Sequence, residues 1–480
     1  MSHHIKGQGR HQITLLPEAL DDFVTEDNPV RVIDIFVDGL QLDSLGFERV
    51  AAKQTGRPGY HPATLLKLYI YGYLNRIQSS RRLEKETHRN VELMWLLERL
   101  TPDFKTIADF RKTNGKGIKN ACKAFIDVCR QMQMFTDVIV AIDGSKFKAV
   151  NSKPNNFTPQ KAKDHIERVE QSINKYLSKL DESDKNSEND ASSELNATKL
   201  AWLRKRLEEL KGIQKIVEQQ PDKQLSLTDP DSRLMKTNNM NRQVCYNVQT
   251  AVDTKNHLIV AHKVTNTTDR GQLSSVTKLV QEAVDQKEIT VLADKGYYSR
   301  GDIKEILDSG AVALVPKGDT SGADRKGLYN LALFKYNQEK DIYICPAGNE
   351  LQNRFTTVED GLELQMYFNC IACRDCSQRA KCTTSKSAAR RIRRWVHESE
   401  MENMQAKLDA APQTATIRKQ TVEHPFGTIK MWMGATHFLM RRFTNVSTEI
   451  SLHILAYNLK RMISIWGVAG LQMKFKELYQ

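Results

Sequence analysis

No stretch of this chain approaches the ~20 uninterrupted apolar residues that a membrane-spanning helix requires. The opening residues, Met1-Ser2-His3-His4-Ile5-Lys6, lack the apolar segment of a secretory signal. These two absences predict a cytoplasmic protein with no membrane partner. A glycine-rich phosphate loop is missing after the first apolar strand, which removes support for a doubly wound nucleotide-binding sheet. Cysteine is sparse, and in a reducing compartment its eight residues are not expected to pair as disulfides. Cys122, Cys129 and Cys245 sit among apolar neighbours and read as inert core thiols. The other five, Cys345, Cys370, Cys373, Cys376 and Cys382, crowd into one short segment.

Positive charge, by contrast, is in excess. Lys and Arg number 71 against 58 Asp and Glu, a formal net charge of +13. That balance points to a polyanionic partner, nucleic acid first, with a merely solubilising surface as the plain alternative. At 480 residues the chain is long enough for two or three domains with full cores.

Residues 1–135 read as helical. Pro62 opens a run in which Leu65, Leu66, Tyr69, Ile70, Tyr73 and Leu74 share a face. Ser79 or Ser80 can cap a basic helix carrying Arg81, Arg82, Lys85 and Arg89. Asn90 or Val91 starts the next, and Thr106 to Met134 continues the pattern. Short helices with a basic one among them suit a DNA-binding domain, and equally a plain bundle with solvated cations. A strand over 137–148 is expected to end at Asp143. Residues 159–225 then read as a helical hairpin insertion with an acidic, aperiodic tip from Asp181 to Ala197. Strands follow at Val244–Val252 and Leu258–Ala261 around an Asp253–Asn256 turn, then a helix over Leu273–Val284 and a strand ending at Asp294. A helix at Ile303–Leu307 and a strand at Ala311–Pro316 complete the run, and Asn445 is expected to cap a final helix. This order predicts an α/β protein with the mixed sheet of an RNase H-like fold, its core spanning 136–317 and 401–470 and interrupted by a small Cys-rich insertion at 318–400.

Three carboxylates stand out against this frame. Asp143 closes the apolar run Ile139-Val140-Ala141-Ile142, and Asp294 closes Ile289-Thr290-Val291-Leu292-Ala293. Glu423 follows far downstream in Thr421-Val422-Glu423-His424-Pro425-Phe426-Gly427. Three converging carboxylates repel one another unless a cation holds them, so the set suggests a divalent-metal site. Two Mg²⁺ ions roughly 3.5–4 Å apart would activate a water or 3′-hydroxyl and stabilise the leaving oxygen in phosphoryl transfer. Lys146, Lys295 and Lys430 are placed to meet phosphates, and the glycines beside the aspartates would let a DNA backbone approach. Read singly, a strand-terminal Asp is a turn residue and Glu423 a solvated helix charge. Asp229, Asp231 and Asp253 are rival carboxylates that read as structural or DNA-facing.

Taken with their flanks, these segments resemble the DDE transposases of bacterial insertion sequences, most nearly the group numbered eleven-eighty-two. The resemblance rests on Asp143-Gly144-Ser145, Asp294-Lys295-Gly296-Tyr297, and Glu423 with Lys430 after six intervening residues. Thr228–Met235, Tyr246–Asp253 and Leu455–Arg461 add to it, so that it spans nearly the whole chain. It implies Asp143, Asp294 and Glu423 as Mg²⁺ ligands, with Mn²⁺ as a substitute. It also implies binding of terminal inverted repeats, cleavage at the element ends, joining of the 3′-hydroxyl to target double-stranded DNA, a homodimer in the DNA complex and a nucleoid-associated location. The Tyr and Arg of the related signature are held here by Thr416 and Lys419, with Arg418 adjacent as a phosphate contact. An RNase H-like nuclease without strand transfer, and a catalytically idle DNA-binding descendant, remain rival readings.

Four of the clustered cysteines, Cys345, Cys373, Cys376 and Cys382, match those of the resembled family, leaving Cys370 spare. Four thiolates suit structural zinc; an iron–sulfur centre and uncoordinated thiols are the alternatives. The basic run Arg390, Arg391, Arg393 and Arg394 beside them reads as a phosphate contact or as a solvated face.

Overall fold

The computed structural model describes residues 19–52, 58–136, 138–186, 190–237, 241–318, 322, 326–385 and 389–479, without the side chains of 180–194 and 196. The first six residues and the centre of the hairpin tip therefore lie outside the described residues. The chain forms two compact units, one of residues 1–136, 144–268 and 423–480, the other of 137–143 and 269–422.

In the first unit, local chemistry starts most of the helices. Asn28 caps α1 (Pro29–Asp38) through the Val30 N–H, with Pro29 at the position where a missing amide costs nothing. His61 and Pro62 do the same for α2 (Pro62–Leu74). After α3 (Ser80–Thr87), Asn90 caps α4 (Val91–Leu96) through the N–H groups of Glu92 and Leu93. Asp103 caps α5 (Phe104–Thr113) through Lys105 and Thr106. The helical pattern expected to continue over Thr106–Met134 takes the form of two helices. Asn114 breaks it before α6 (Gly115–Gln131), because its side chain takes the Glu48 N–H and donates to the Phe110 carbonyl.

β1 spans Ile139–Lys148 and so does not end at Asp143. Sheet pairing continues beyond it, to the Ala149 N–H donating to the Val244 carbonyl at 3.0 Å, and Phe147 is buried. After the short β2 (Asn156–Phe157), α7 (Pro159–Asn186) and α8 (Asp190–Gln219) pack through Ala162, Ile166, Leu210 and Val217. Their backbone stays helical across most of the segment expected to be aperiodic. The strands β3 (Leu225–Ser226), β4 (Arg233–Lys236), β5 (Arg242–Asp253) and β6 (Ile259–Thr265) follow, with β4 and β6 both antiparallel to β5.

The second unit contains α9 (Leu273–Val284), β7 (Thr290–Leu292), α10 (Arg300–Asp308) and β8 (Val312–Leu314). The first half of β1 pairs parallel with β7, and β7 pairs parallel with β8. The pairings of this unit are thus parallel, and those of β4, β5 and β6 in the first unit antiparallel. The Cys-rich segment expected as an insertion holds a five-stranded antiparallel sheet in the order β13-β12-β11-β10-β9, which sequence pattern did not predict. Its strands are β9 (Lys335–Asn337), β10 (Ile342–Ile344), β11 (Glu350–Glu359), β12 (Leu362–Phe368) and β13 (Ile392–Trp395), with α11 (Cys370–Arg374) between the last two. α12 (Glu398–Ala410) precedes α13 (Thr414–Gly427), which leads into a π-helical turn at Thr428–Trp432.

Back in the first unit, α14 (Phe443–Tyr479) is interrupted at Gly467, where φ of 68° favours glycine. Asn445 is not its cap; it lies inside the helix and donates to the Arg441 carbonyl. α14 joins the N-terminal helices to the sheet strands of this unit. Asn458 makes two 2.9 Å hydrogen bonds with the Ile259 backbone of β6, satisfying an edge that would otherwise be open. His453 meets Tyr73 of α2, with ring centroids 4.4 Å apart, and Phe475 meets Phe36 of α1. Among the described residues, no helix is long and apolar enough to cross a membrane.

Candidate active site

Parallel pairing sets Asp143 and Asp294 at one level. Ile139 faces Thr290, Val140 faces Val291 and Ala141 faces Leu292, so each aspartate lies two residues beyond the last matched pair. Adjacent strands lie ~4.8 Å apart and side chains two residues apart share a face. The two carboxylates therefore leave neighbouring strands on the face that Ala141 and Leu292 occupy. Asp294 still has extended backbone (φ −83°, ψ 171°), and the Ala293 N–H reaches the Leu314 carbonyl. Both aspartates are half-buried.

That shared face is covered by α13. Val422, Ala141 and Leu292 form one buried cluster with Leu314 against it. Glu423 is the next residue along the helix, and it is exposed. Pro425 lies inside α13, and the π-helical turn follows directly. Such turns recur at functional sites.

The Gly296 N–H donates to Asp294 Oδ1 at 2.8 Å, which fixes the carboxylate. A Cβ at position 296 would stand 2.9 Å from that same oxygen. Glycine is required there to leave the carboxylate unobstructed, a role different from admitting a DNA backbone. Lys295 is exposed, while Tyr297 is fully buried and anchors the turn.

In the first unit, Lys430 is engaged by protein groups. Its Nζ donates to Ser145 Oγ at 2.6 Å and to the Lys146 carbonyl at 2.9 Å, and it lies 4.5 Å from the centre of the Phe147 ring. Burial lowers its pKa, with Cys245 opposing and Lys146 adding to the shift. Lys430 thus ties the π-helical turn to the second half of β1. Arg76 donates to the Met431 and Trp432 carbonyls of the same turn, and Gln78 donates to the Met433 carbonyl at 2.6 Å. Met431 and Trp432 are left exposed, and no sequence signal marked this clasp. His424 Nδ1 is 3.0 Å from the Tyr457 hydroxyl, which itself donates to the His257 carbonyl. Burial lowers the His424 pKa, with Arg461 adding to it. A neutral ring donating from Nδ1 to the hydroxyl satisfies this chain of bonds.

The rival carboxylates have structural work. Asp229, 0% exposed, accepts the Tyr246 hydroxyl at 2.9 Å on each oxygen and the Arg442 N–H at 2.9 Å. Asp231 accepts the Phe443 N–H at 2.9 Å. Together they cap α14 from a distant segment. Asp253 accepts the Asn256 N–H within its turn, and burial raises its pKa. Sequence reasoning did not mark Glu449, whose buried carboxylate accepts the N–H groups of Leu439 and Met440. Burial raises its pKa, with Arg111 opposing.

Strand alternation divides the basic run. Arg391 and Arg393 of the Arg390–Arg394 segment face solvent, Arg393 in an ion pair with Glu359. Ile392 and Arg394 face inward. Arg394, 5% exposed, makes a bidentate pair with Glu402 at 2.6 and 2.8 Å and lies 3.7 Å from the centre of the Tyr336 ring. It is committed to the fold and not presented to a phosphate. Arg390 donates to the Cys382 carbonyl and packs on Phe334. Arg418 and Lys419 lie on α13 about one turn before Glu423.

Cys345, Cys373, Cys376 and Cys382 line one cavity, and Cys370 is exposed outside it. Among the described residues, no three His, Cys, Asp or Glu side chains already converge as ligands of an ion. The donor types nevertheless fit two different cations, carboxylate oxygens for Mg²⁺ at the strand ends and thiols for a softer metal in the insertion.

Comparison with known families assigns two stretches. Residues 18–113 match the model described as a transposase domain (DUF772), and residues 219–459 match that described as a transposase DDE domain. No curated protein and no solved structure matches the chain.

Proposed function

Since the chain belongs to the transposase DDE family, we propose that it binds the terminal inverted repeats of an insertion element, cleaves DNA there and joins the freed 3′-hydroxyl to target DNA. Asp143, Asp294 and Glu423 are the residues that would hold Mg²⁺, or Mn²⁺ in its place. The observation that carries this reading is the Val422 contact. One side chain of α13 packs on the two strand residues that precede the aspartates by two positions, and Glu423 is its neighbour in sequence. A divalent cation held by these carboxylates supplies Lewis acidity at the scissile phosphate and lowers the pKa of the attacking hydroxyl.

The protein's own groups orient and neutralise. Gly296 holds the Asp294 carboxylate through its N–H. Lys295, Arg418 and Lys419 offer charge to the DNA backbone on either side of the carboxylates, while Lys146 lies in the strand segment that Lys430 braces. Arg391 and Arg393 extend the basic surface within the insertion. Pairing two element ends calls for two copies of the chain, so the DNA complex is a homodimer acting on double-stranded DNA at the nucleoid.

The test is a cleavage and joining assay on a labelled duplex carrying the element's end. Mg²⁺-dependent cleavage followed by a joined product supports transposition. Cleavage without joining, even from a pre-cut 3′-hydroxyl end, points to a nuclease. End binding with neither step identifies an idle descendant. Asp143→Asn and Asp294→Asn should remove both steps while leaving end binding within a few-fold.

A further inference from the structure

We propose that Cys345, Cys373, Cys376 and Cys382 are the four ligands of a structural zinc ion that closes the Cys-rich insertion, independently of the carboxylate site. Three separate pieces of backbone bring these residues to one cavity of about 20 Å³. That is room for one ion-sized particle.

Cys345 leads a turn after β10, closed by the Gly348 N–H donating to the Cys345 carbonyl at 2.8 Å, with Gly348 at φ +79°. Cys373 lies in the single helical turn of α11, whose N-cap is Asn369, and Cys376 follows where the Arg379 N–H returns to its carbonyl. Cys382 ends the next tight turn, its N–H on the Arg379 carbonyl at 2.9 Å. The remaining wall includes the largely apolar Tyr329, Phe334 and Leu351 and the polar Asn349, Gln378 and Thr383, and no His, Asp or Glu lines it. Four soft sulfur donors with no carboxylate or imidazole beside them select a closed tetrahedral thiolate site, the arrangement of structural zinc.

The surroundings suit the charge such a site would carry. Four thiolates around a divalent cation leave two net negative charges. Arg379 donates to the Cys373 carbonyl at 2.6 Å and Arg390 to the Cys382 carbonyl at 3.3 Å, and both arginines line the cavity. They offset that charge while fixing the loops that carry the ligands. One buried cluster of the insertion, Phe334, Tyr343, Leu351, Tyr367 and Ile392, carries Cys345 and Cys382 packed on its edge, so a bound ion would tie that core to the loops. In this structure the thiols line the cavity without converging on one point. Thiolates repel as they ionise, so a cation is what would draw them together.

Elemental analysis of the full chain, purified under reducing, oxygen-free conditions, tests the proposal. One zinc per chain is expected, retained in Cys370→Ser and lost in Cys373→Ser and Cys376→Ser. Because loss of a ligand can itself unfold the insertion, alkylation of the unmutated protein gives a second readout by mass spectrometry. Cys370 should react at once, and the four cavity cysteines only after a chelator removes the metal. The proposal is overturned by a protein without metal after zinc reconstitution, by iron with sulfide in its place, by a disulfide among the four, or by loss of zinc in Cys370→Ser.

Discussion

Replacing Val422 by alanine removes two buried carbon atoms from the contact between α13 and the strands β1 and β7. Val422 is 2% exposed and packs on Ala141 and Leu292. Lost transfer energy and a small residual cavity together cost about 2 kcal/mol. For a unit of this size that lowers the midpoint of thermal unfolding by about 4–8 °C. Val280→Ala in α9 is the matched control, since Val280 is 0% exposed in the same unit and away from the carboxylates. Both variants should lose similar stability in calorimetry. Only Val422→Ala should slow DNA cleavage, by about tenfold or more, because displacing a catalytic group by a fraction of an ångström is costly. End binding, measured by gel shift well below either midpoint, should be unchanged. If both variants cleave at the normal rate, the Val422 contact does not position Glu423 for chemistry and the reasoning fails.

Other perturbations read different parts of the fold. Burial depresses His262 to about 4 and His453 to about 3, both in the first unit. The unfolded chain then binds more protons than the folded one between these values and ~6.5, so stability is intact above that range and falls as pH drops through it. His262 alone should cost about 3 kcal/mol by pH 4, measurable by urea unfolding; a flat profile from pH 6.5 to 4 refutes the assignment. Asp229→Ala should destabilise by about 3 kcal/mol, since it strands the Tyr246 hydroxyl and the Arg442 N–H, and hydrogen exchange should show the start of α14 opening first. Normal protection at 442–448 would contradict the capping role. Lys430→Met should loosen the π-helical turn from β1 and reduce cleavage at every salt concentration. An effect that disappears at low salt would instead indicate direct phosphate contact.

What the sequence disclosed is mostly local. Asn28-Pro29, His61-Pro62, Asn90 and Asp103 announce helix starts because each cap bonds amides two or three residues away. Asp143 and Asp294 stood out for a similar reason, as polar residues closing apolar runs. Remote pairing was not legible. Asp143 read as the end of its strand, yet β1 continues because its partner strand lies about a hundred residues downstream. Asp229 and Asp231 looked like a turn, and their work as caps of α14 lies more than 200 residues away. Strands of three residues, as in β9 and β10, are too short to show alternation, so the sheet of the insertion stayed hidden. Without that sheet, Arg390–Arg394 is a uniform basic run; with it, the two-residue period turns Arg394 inward to Glu402. The four cysteines were separable from Cys370 by family resemblance, and the cavity makes the same division by geometry.

The central claim is that residues 143, 294 and 423 share a divalent cation. Manganese binding to the end-DNA complex, followed by electron paramagnetic resonance, tests it most directly in the unaltered chain and in Asp143→Asn, Asp294→Asn and Glu423→Gln. The account predicts tight manganese in the unaltered complex and at least tenfold weaker binding in each variant, with DNA still bound. Unchanged manganese affinity in all three variants would contradict it.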